Sequence, residues 1–255
     1  MAAERVDAPR GRGLVGIVLA LGVALAGWFV GMGVQNVRTA DRFVTVKGVA
    51  EREVKADLAL WPIQLAVTDN DLAAAQTRMS QNVARVVAFL RANGIDSTEI
   101  EPQTLKVTDI LANPFRTEQR PGGTRFILQQ AVNVRSGNPD RVQATSQKVG
   151  QLVEAGVVLS SGPEWGPGGP SYVFRKLNDL KPAMIAEATA EARKSAEQFA
   201  KDSKSNLGGI HRANQGVFVI LPRDAAGSDQ GPSVPEATQM YKIVRVVATV
   251  EYQLR

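Results

Sequence analysis

Apolar and polar positions divide this chain into one continuous apolar run and a long periodic remainder. Gly13 to Val34, GLVGIVLALGVALAGWFVGMGV, holds no charge and no proline. As a helix its twenty-two residues would cover about 33 Å, enough for a hydrocarbon core of about 30 Å. Beyond Arg38 the pattern turns periodic. Phe43 to Gly48 alternates, and Glu53 to Val67 continues through Leu58, Leu60, Trp61, Ile63, Leu65 and Val67, so both are predicted strands. Pro62 has no N–H to offer a ladder, which places it at an edge or a bulge.

Asp69 to Asn93 changes period. Leu72, Met79, Val83, Val86, Val87 and Leu90 recur at three- and four-residue steps, which predicts an amphipathic helix capped by Asn70 or Asp71 and closed by Gly94. Strands are predicted over Gln103 to Leu111 and Arg125 to Arg135, around a polar loop. Asn138-Pro139 then opens a second helix, with Val142, Val149, Leu152 and Val153 as its buried stripe and Gly156 as its stop. Val157 to Leu159 and Tyr172 to Phe174 read as strands flanking a turn-rich excursion, Ser160 to Pro170.

A third helix is expected with Pro182 in its first turn, running through Ile185, Ala188, Ala192, Ala196, Phe199 and Ala200 to a Gly208-Gly209 stop. Its alanine-rich side suits close backbone packing, and Glu197 with Lys201 forms an acid-then-base pair on its wet side. Ile210 to Leu221 and Tyr241 to Leu254 are the last strands. In the second of these Val244, Val246, Ala248, Val250 and Tyr252 alternate with polar residues. Pro222 to Thr238 between them reads as a loop.

The order β-β-α-β-β-α-β-β-α-β-β is an α+β pattern. Repeated ββα units build a mainly antiparallel sheet with helices packed on it. The organisation expected is a cytoplasmic tail over 1–12, a transmembrane anchor over 13–34 and an exported domain over 42–255, with halves 42–136 and 137–255.

Arg5, Arg10 and Arg12 precede the apolar run, which keeps the N-terminus cytoplasmic and sends the remainder out. The location expected is therefore the inner membrane, single-pass, with a periplasmic or extracytoplasmic domain. Ala24-Leu25-Ala26 offers a small-x-small site for signal cleavage, but the apolar run continues past it through Trp28, Phe29 and Val30, which favours an uncleaved anchor. Gly27 and Gly31 have a small-xxx-small spacing that lets helices approach.

Composition narrows the chemistry. The net charge is +5 and no basic run occurs, so nucleic acid is not expected as a partner. Cysteine is absent, which removes thiol catalysis and any disulfide framework. A single histidine, His211, excludes a multi-histidine metal cluster, and no cofactor is expected.

Val44-Thr45-Val46-Lys47-Gly48 resembles the V-x-V-x-G opening of the SIMPL family. Asp57 before an apolar strand, Leu90-Arg91-Ala92-Asn93-Gly94-Ile95 and Glu99-Ile100 followed by Gln103-Thr104 are similar to its first half. Ala186 to Gly209 resembles its alanine-rich signature helix. The resemblance spans nearly all of Arg42 to Arg255, with Lys55-Ala56-Asp57 departing from the more usual proline before the aspartate. It implies an exported or membrane-anchored envelope protein, ring-like oligomers in some members, an association with stress tolerance, and no established activity or cofactor.

Individual residues add little catalytic signal. Asp57 reads as ending a turn or pairing with an arginine more readily than as a catalytic carboxylate. His211 fits a structural or solvent role, and Ser160, Ser161 and Ser171 have no evident base. Gly166-x-Gly168-Gly169 lacks the lysine ending of a phosphate loop, and Pro167 and Pro170 remove donors. Trp165, on a Gly/Pro-rich tip, is a candidate partner contact.

The reading that results is a bilayer-anchored, self-assembling envelope scaffold or interaction protein, a homo-oligomer with other envelope partners unspecified, and not an enzyme. The alternatives are a ligand-binding or hydrolytic enzyme with a carboxylate cleft near Asp57, Glu51 or Asp109, and a ring enclosing a pore or chamber.

Overall fold

The computed structural model describes residues 20–30, 42–112, 124–160, 168–223 and 235–255. Residues 20–30 form a helix, α1, exposed along its length. No helix among the described residues is long and apolar enough to cross a membrane. The rest of the apolar run, Gly31 included, lies outside the described residues, as do Ser161 and Trp165.

The strands are β1 (Phe43–Lys55), β2 (Leu58–Asp69), β3 (Ile100–Pro102), β4 (Lys106–Asp109), β5 (Phe126–Ser136), β6 (Ser171–Val173), β7 (Leu207–Gln215), β8 (Val219–Pro222) and β9 (Tyr241–Leu254). The helices that follow α1 are α2 (Leu72–Ala92), α3 (Pro139–Ser146), α4 (Gly150–Glu154) and α5 (Leu177–Asp202). The fold is α+β, as expected, but with two sheets rather than one. β1 and β2, which follow each other as a hairpin would, belong to different sheets. Only Ala56 and Asp57 join them, and the Asp57 N–H donates to the Val173 carbonyl at 3.1 Å instead of closing a hairpin.

Two compact units partition the chain, one made of 1–49, 187–216 and 247–255, the other of 50–186 and 217–246. The five-stranded sheet lies in the second unit. Its order is β3-β5-β2-β6, with β4 also on β5, and β2 and β5 pair over their full length from Ala59↔Ser136 to Asp69↔Phe126. Pro62 pairs with Asn133 on this ladder. Two residues on, the Gln64 carbonyl accepts from Ser160 N–H at 2.9 Å, so the missing Pro62 N–H faces that same side. There β6 reaches only Leu60, and the next bridge is at Leu65. The proline thus stands at a local gap in the sheet, which is the edge character its chemistry requires.

Trp61, Ile63 and Leu65 of β2 and Leu128, Val132 and Val134 of β5 form one apolar core with Met79, Val86 and Leu90 of α2. Asp71 caps α2 by accepting from Ala73 and Ala74 N–H, and Gly94 ends it at φ 84°. Leu72 is exposed, while Ala75 takes an inward place. The helix predicted from Asn138 is two, because the chain breaks over 147–149. Asn138 caps α3, Val142 and Leu152 are buried, and Val153 is exposed.

In the first unit, residues 43–49 of β1, the end of β9 and β7 form a sheet under residues 187–202 of α5. Leu254 N–H donates to the Arg42 carbonyl at 2.8 Å. Nine residues along β1, Glu51 pairs with Arg245, nine residues back along β9, so the two strands run antiparallel. Ala188, Ala192, Ala196 and Ala200 of α5 are buried. They lie where Gly48 leaves no side chain: a Cβ there would stand 1.8 Å from the Ala188 carbonyl oxygen and 2.4 Å from Ala192 N. The close neighbour that an alanine stripe calls for is therefore β1 at Gly48.

Four expectations for α5 need correction. It starts at Leu177, so Pro182 lies inside it and removes the hydrogen bond to Asn178 O. Glu197 is taken by Arg193, at 3.0 Å, not by Lys201. The helix ends at Asp202, with Lys204 at φ 53°, and Gly208-Gly209 lie in β7 at a register shift. Phe199 is also exposed, off the buried stripe.

Candidate functional site

The three carboxylates that could have shared a cleft are each held by an arginine. Asp57 sits in the link between β1 and β2, accepts from Arg175 N–H at 2.8 Å and faces the Arg175 Nε at 3.6 Å. It fastens the segment between β6 and α5 to that corner. Asp109, at the end of β4, receives Arg125 through Nε at 3.2 Å and Nη2 at 3.0 Å. That fork, followed by the Leu111 N–H, holds the Asp109 carboxyl below the usual carboxylate range. Glu51 accepts from Arg245 Nε at 2.5 Å across the β1–β9 ladder.

On β1 the residues 51, 53 and 55 point away from the buried face. Glu53 lies 3.7 Å from Arg223, and Lys55 donates to Asp140 at 2.6 Å, a bond that pushes the Lys55 ammonium up. Tyr241 stands between the two cations, 5.8 Å from Lys55 and 5.6 Å from Arg223. This is a surface of matched charge around one aromatic ring.

His211 on β7 stacks on Phe43 of β1, ring centroids 4.4 Å apart. Ser171 Oγ donates to the Leu60 carbonyl at 3.2 Å. Neither presents a nucleophile with a base beside it. Among the described residues no group of three or more His, Asp or Glu is placed to hold a metal ion.

The SIMPL family model, described as a protein of unknown function (DUF541), matches residues 44–252. The chain belongs to the SIMPL family. A search of curated proteins finds no match. In this SIMPL chain the matched span opens on the Val44 to Gly48 motif, and its glycine is the residue on which α5 closes. The motif is thus a packing device.

Two features escaped the periodicity argument. Lys242 is fully buried, and its Nζ donates to the Glu236 carbonyl at 2.7 Å and to the Glu236 carboxylate. The signal was present: carried one step back from Val244, the alternation of β9 puts Lys242 on the inward face. The pair ties the short turn Glu236–Thr238 to the sheet. The second feature is β7. It pairs with β9 on one side, and its residues Gly209 to Gln215 are all exposed, both faces alike. Ile210, which stands opposite the buried Tyr252, is 52% exposed.

Of the named interaction candidates, Gly27 lies on α1 with nothing within 4 Å of where its Cβ would be. Gly31 and Trp165 fall outside the described residues.

Proposed function

We propose that this SIMPL protein is a single-pass inner-membrane protein with an extracytoplasmic domain, and that it assembles with copies of itself as a scaffold or interaction protein of the envelope. Support for the anchor is the uninterrupted apolar run Gly13–Val34 behind Arg5, Arg10 and Arg12. Support for assembly is β7, an edge strand with seven consecutive exposed residues. An uncovered strand presents backbone donors and acceptors that another chain can pair with. If the association is heterologous and closes, it makes a ring around a chamber.

Light scattering on the detergent-solubilised full chain tests this. An oligomer of defined mass is expected, and a monomer at every concentration would sink the scaffold reading. Replacing Gly27 and Gly31 together with leucine is expected to loosen that oligomer. An unchanged mass would leave the stems as passive tethers.

A further inference from the structure

In the first unit the start of β1, the end of β9, the start of β7 and the end of α5 meet at one end. Leu254 N–H donates to the Arg42 carbonyl at 2.8 Å, and Asn206 and Arg255 exchange two backbone hydrogen bonds of 2.7 and 2.8 Å. α5 closes there too: Ser205 N–H donates to the Ala200 carbonyl at 2.9 Å, with Lys204 in the left-handed region. The result brings Arg42, Lys201, Lys204 and Arg255 to one end of the unit, all exposed. None of the four makes an ion pair among the described residues. Asp202, at the same end, accepts from Gln198 Nε2 at 2.9 Å. The surface around Tyr241 differs, since Lys55, Arg223 and Arg245 there each face a carboxylate.

This is also the end at which the chain arrives from the apolar run. Eight residues, 35–42, separate Val34 from Phe43, a reach of at most about 30 Å fully extended. We propose that this end of the unit docks on the anionic lipid headgroups of the bilayer that the apolar run enters. The proposal rests on the anchor reading above. Cations attract an anionic surface only within about a Debye length, roughly 8–10 Å, so an untethered domain with four of them would bind weakly. A short tether turns the same attraction into an intramolecular contact at high effective concentration. Because the four cations make no ion pair among the described residues, turning them to lipid phosphate breaks none of the ion pairs seen there. Docking would fix the orientation of the first unit at the membrane and bring the half-buried start of β7, Leu207 and Gly208, close to the headgroups.

The test uses the full chain in nanodiscs of phosphatidylcholine, alone or mixed with phosphatidylglycerol, read by amide hydrogen exchange over 201–212. Exchange is expected to slow on the order of fivefold or more in the anionic discs only. High salt and the double variant K201E/K204E are each expected to remove the effect. Incorporation with equal exchange in both compositions would overturn the docking surface and leave the anchor standing. Slowing in both compositions would mean contact between copies, and overturns it as well. A chain that enters neither disc overturns the anchor, and the proposal with it.

Discussion

Gly48→Ala puts one methyl group where β1 and α5 touch. The added Cβ would stand 1.8 Å from the Ala188 carbonyl oxygen and 2.4 Å from Ala192 N, both backbone atoms that cannot swing aside. Ordinary contact begins near 3.4 Å, so strand and helix must part by roughly 1.5 Å, and a gap of even 0.5–1 Å forfeits a quarter to a half of each dispersion contact it opens. Ala188, Ala192, Ala196 and Ala200 are all buried along this face and would all lose contact. The expected loss is about 3 kcal/mol or more, at the upper end of overpacking costs. For a chain of this size that lowers Tm by roughly 6–12 °C. Thermal unfolding followed by circular dichroism measures it, beside Gly150→Ala as a control. Gly150 lies in α4 with nothing within 4 Å of its Cβ position, so alanine there is expected to stabilise by about 0.5–1 kcal/mol. If Gly48→Ala stays within about 0.5 kcal/mol of the parent, the helix does not sit on that glycine and the packing argument fails.

Two other outcomes follow from the charged groups. Glu236→Gln leaves the fully buried Lys242 without its carboxylate and is expected to cost on the order of 3 kcal/mol, whereas Lys242→Met should cost much less or stabilise; equal losses in denaturant titrations would refute the pairing argument. Arg125 lowers the Asp109 carboxyl below its unfolded value, so the stability it contributes is fully present above the ordinary carboxylate pKa near 4 and is lost as pH falls through the lower folded value. The stability difference between the parent and Asp109→Asn should therefore stay constant from neutral pH down to about 4 and shrink below it, and a difference that persists unchanged into stronger acid would contradict the ion pair.

Local rules were legible in the sequence where a single element determines the outcome. The caps Asp71 and Asn138, the stops Gly94 and Gly156, and the inward set Val244 to Tyr252 depend on residues a few positions apart, and each stands where the pattern puts it. The α+β class follows from the same local spacing, and the motifs that resemble the SIMPL family, Val44 to Gly48 first among them, were also legible there. Even Lys242 lay within reach of the alternation, but a period marks only which face a residue occupies. It does not supply Glu236, which comes from a turn six residues earlier and is decided by where that turn folds.

Tertiary structure alone decided the rest. Strand period is the same whichever neighbour a strand pairs with, so nothing in Phe43–Lys55 or Leu58–Asp69 indicates that the two enter different sheets. α5 begins at Leu177 and encloses Pro182 at the loss of one hydrogen bond, and Glu197 had basic residues four positions away on both sides, of which packing chose Arg193. The apolar run at Gly13–Val34 determined a hydrophobic segment by its composition alone. Which cations gather at the end of the unit where Arg42 lies was decided by backbone pairing, which joins Arg42 to Leu254 across most of the chain and Asn206 to Arg255, 49 positions on.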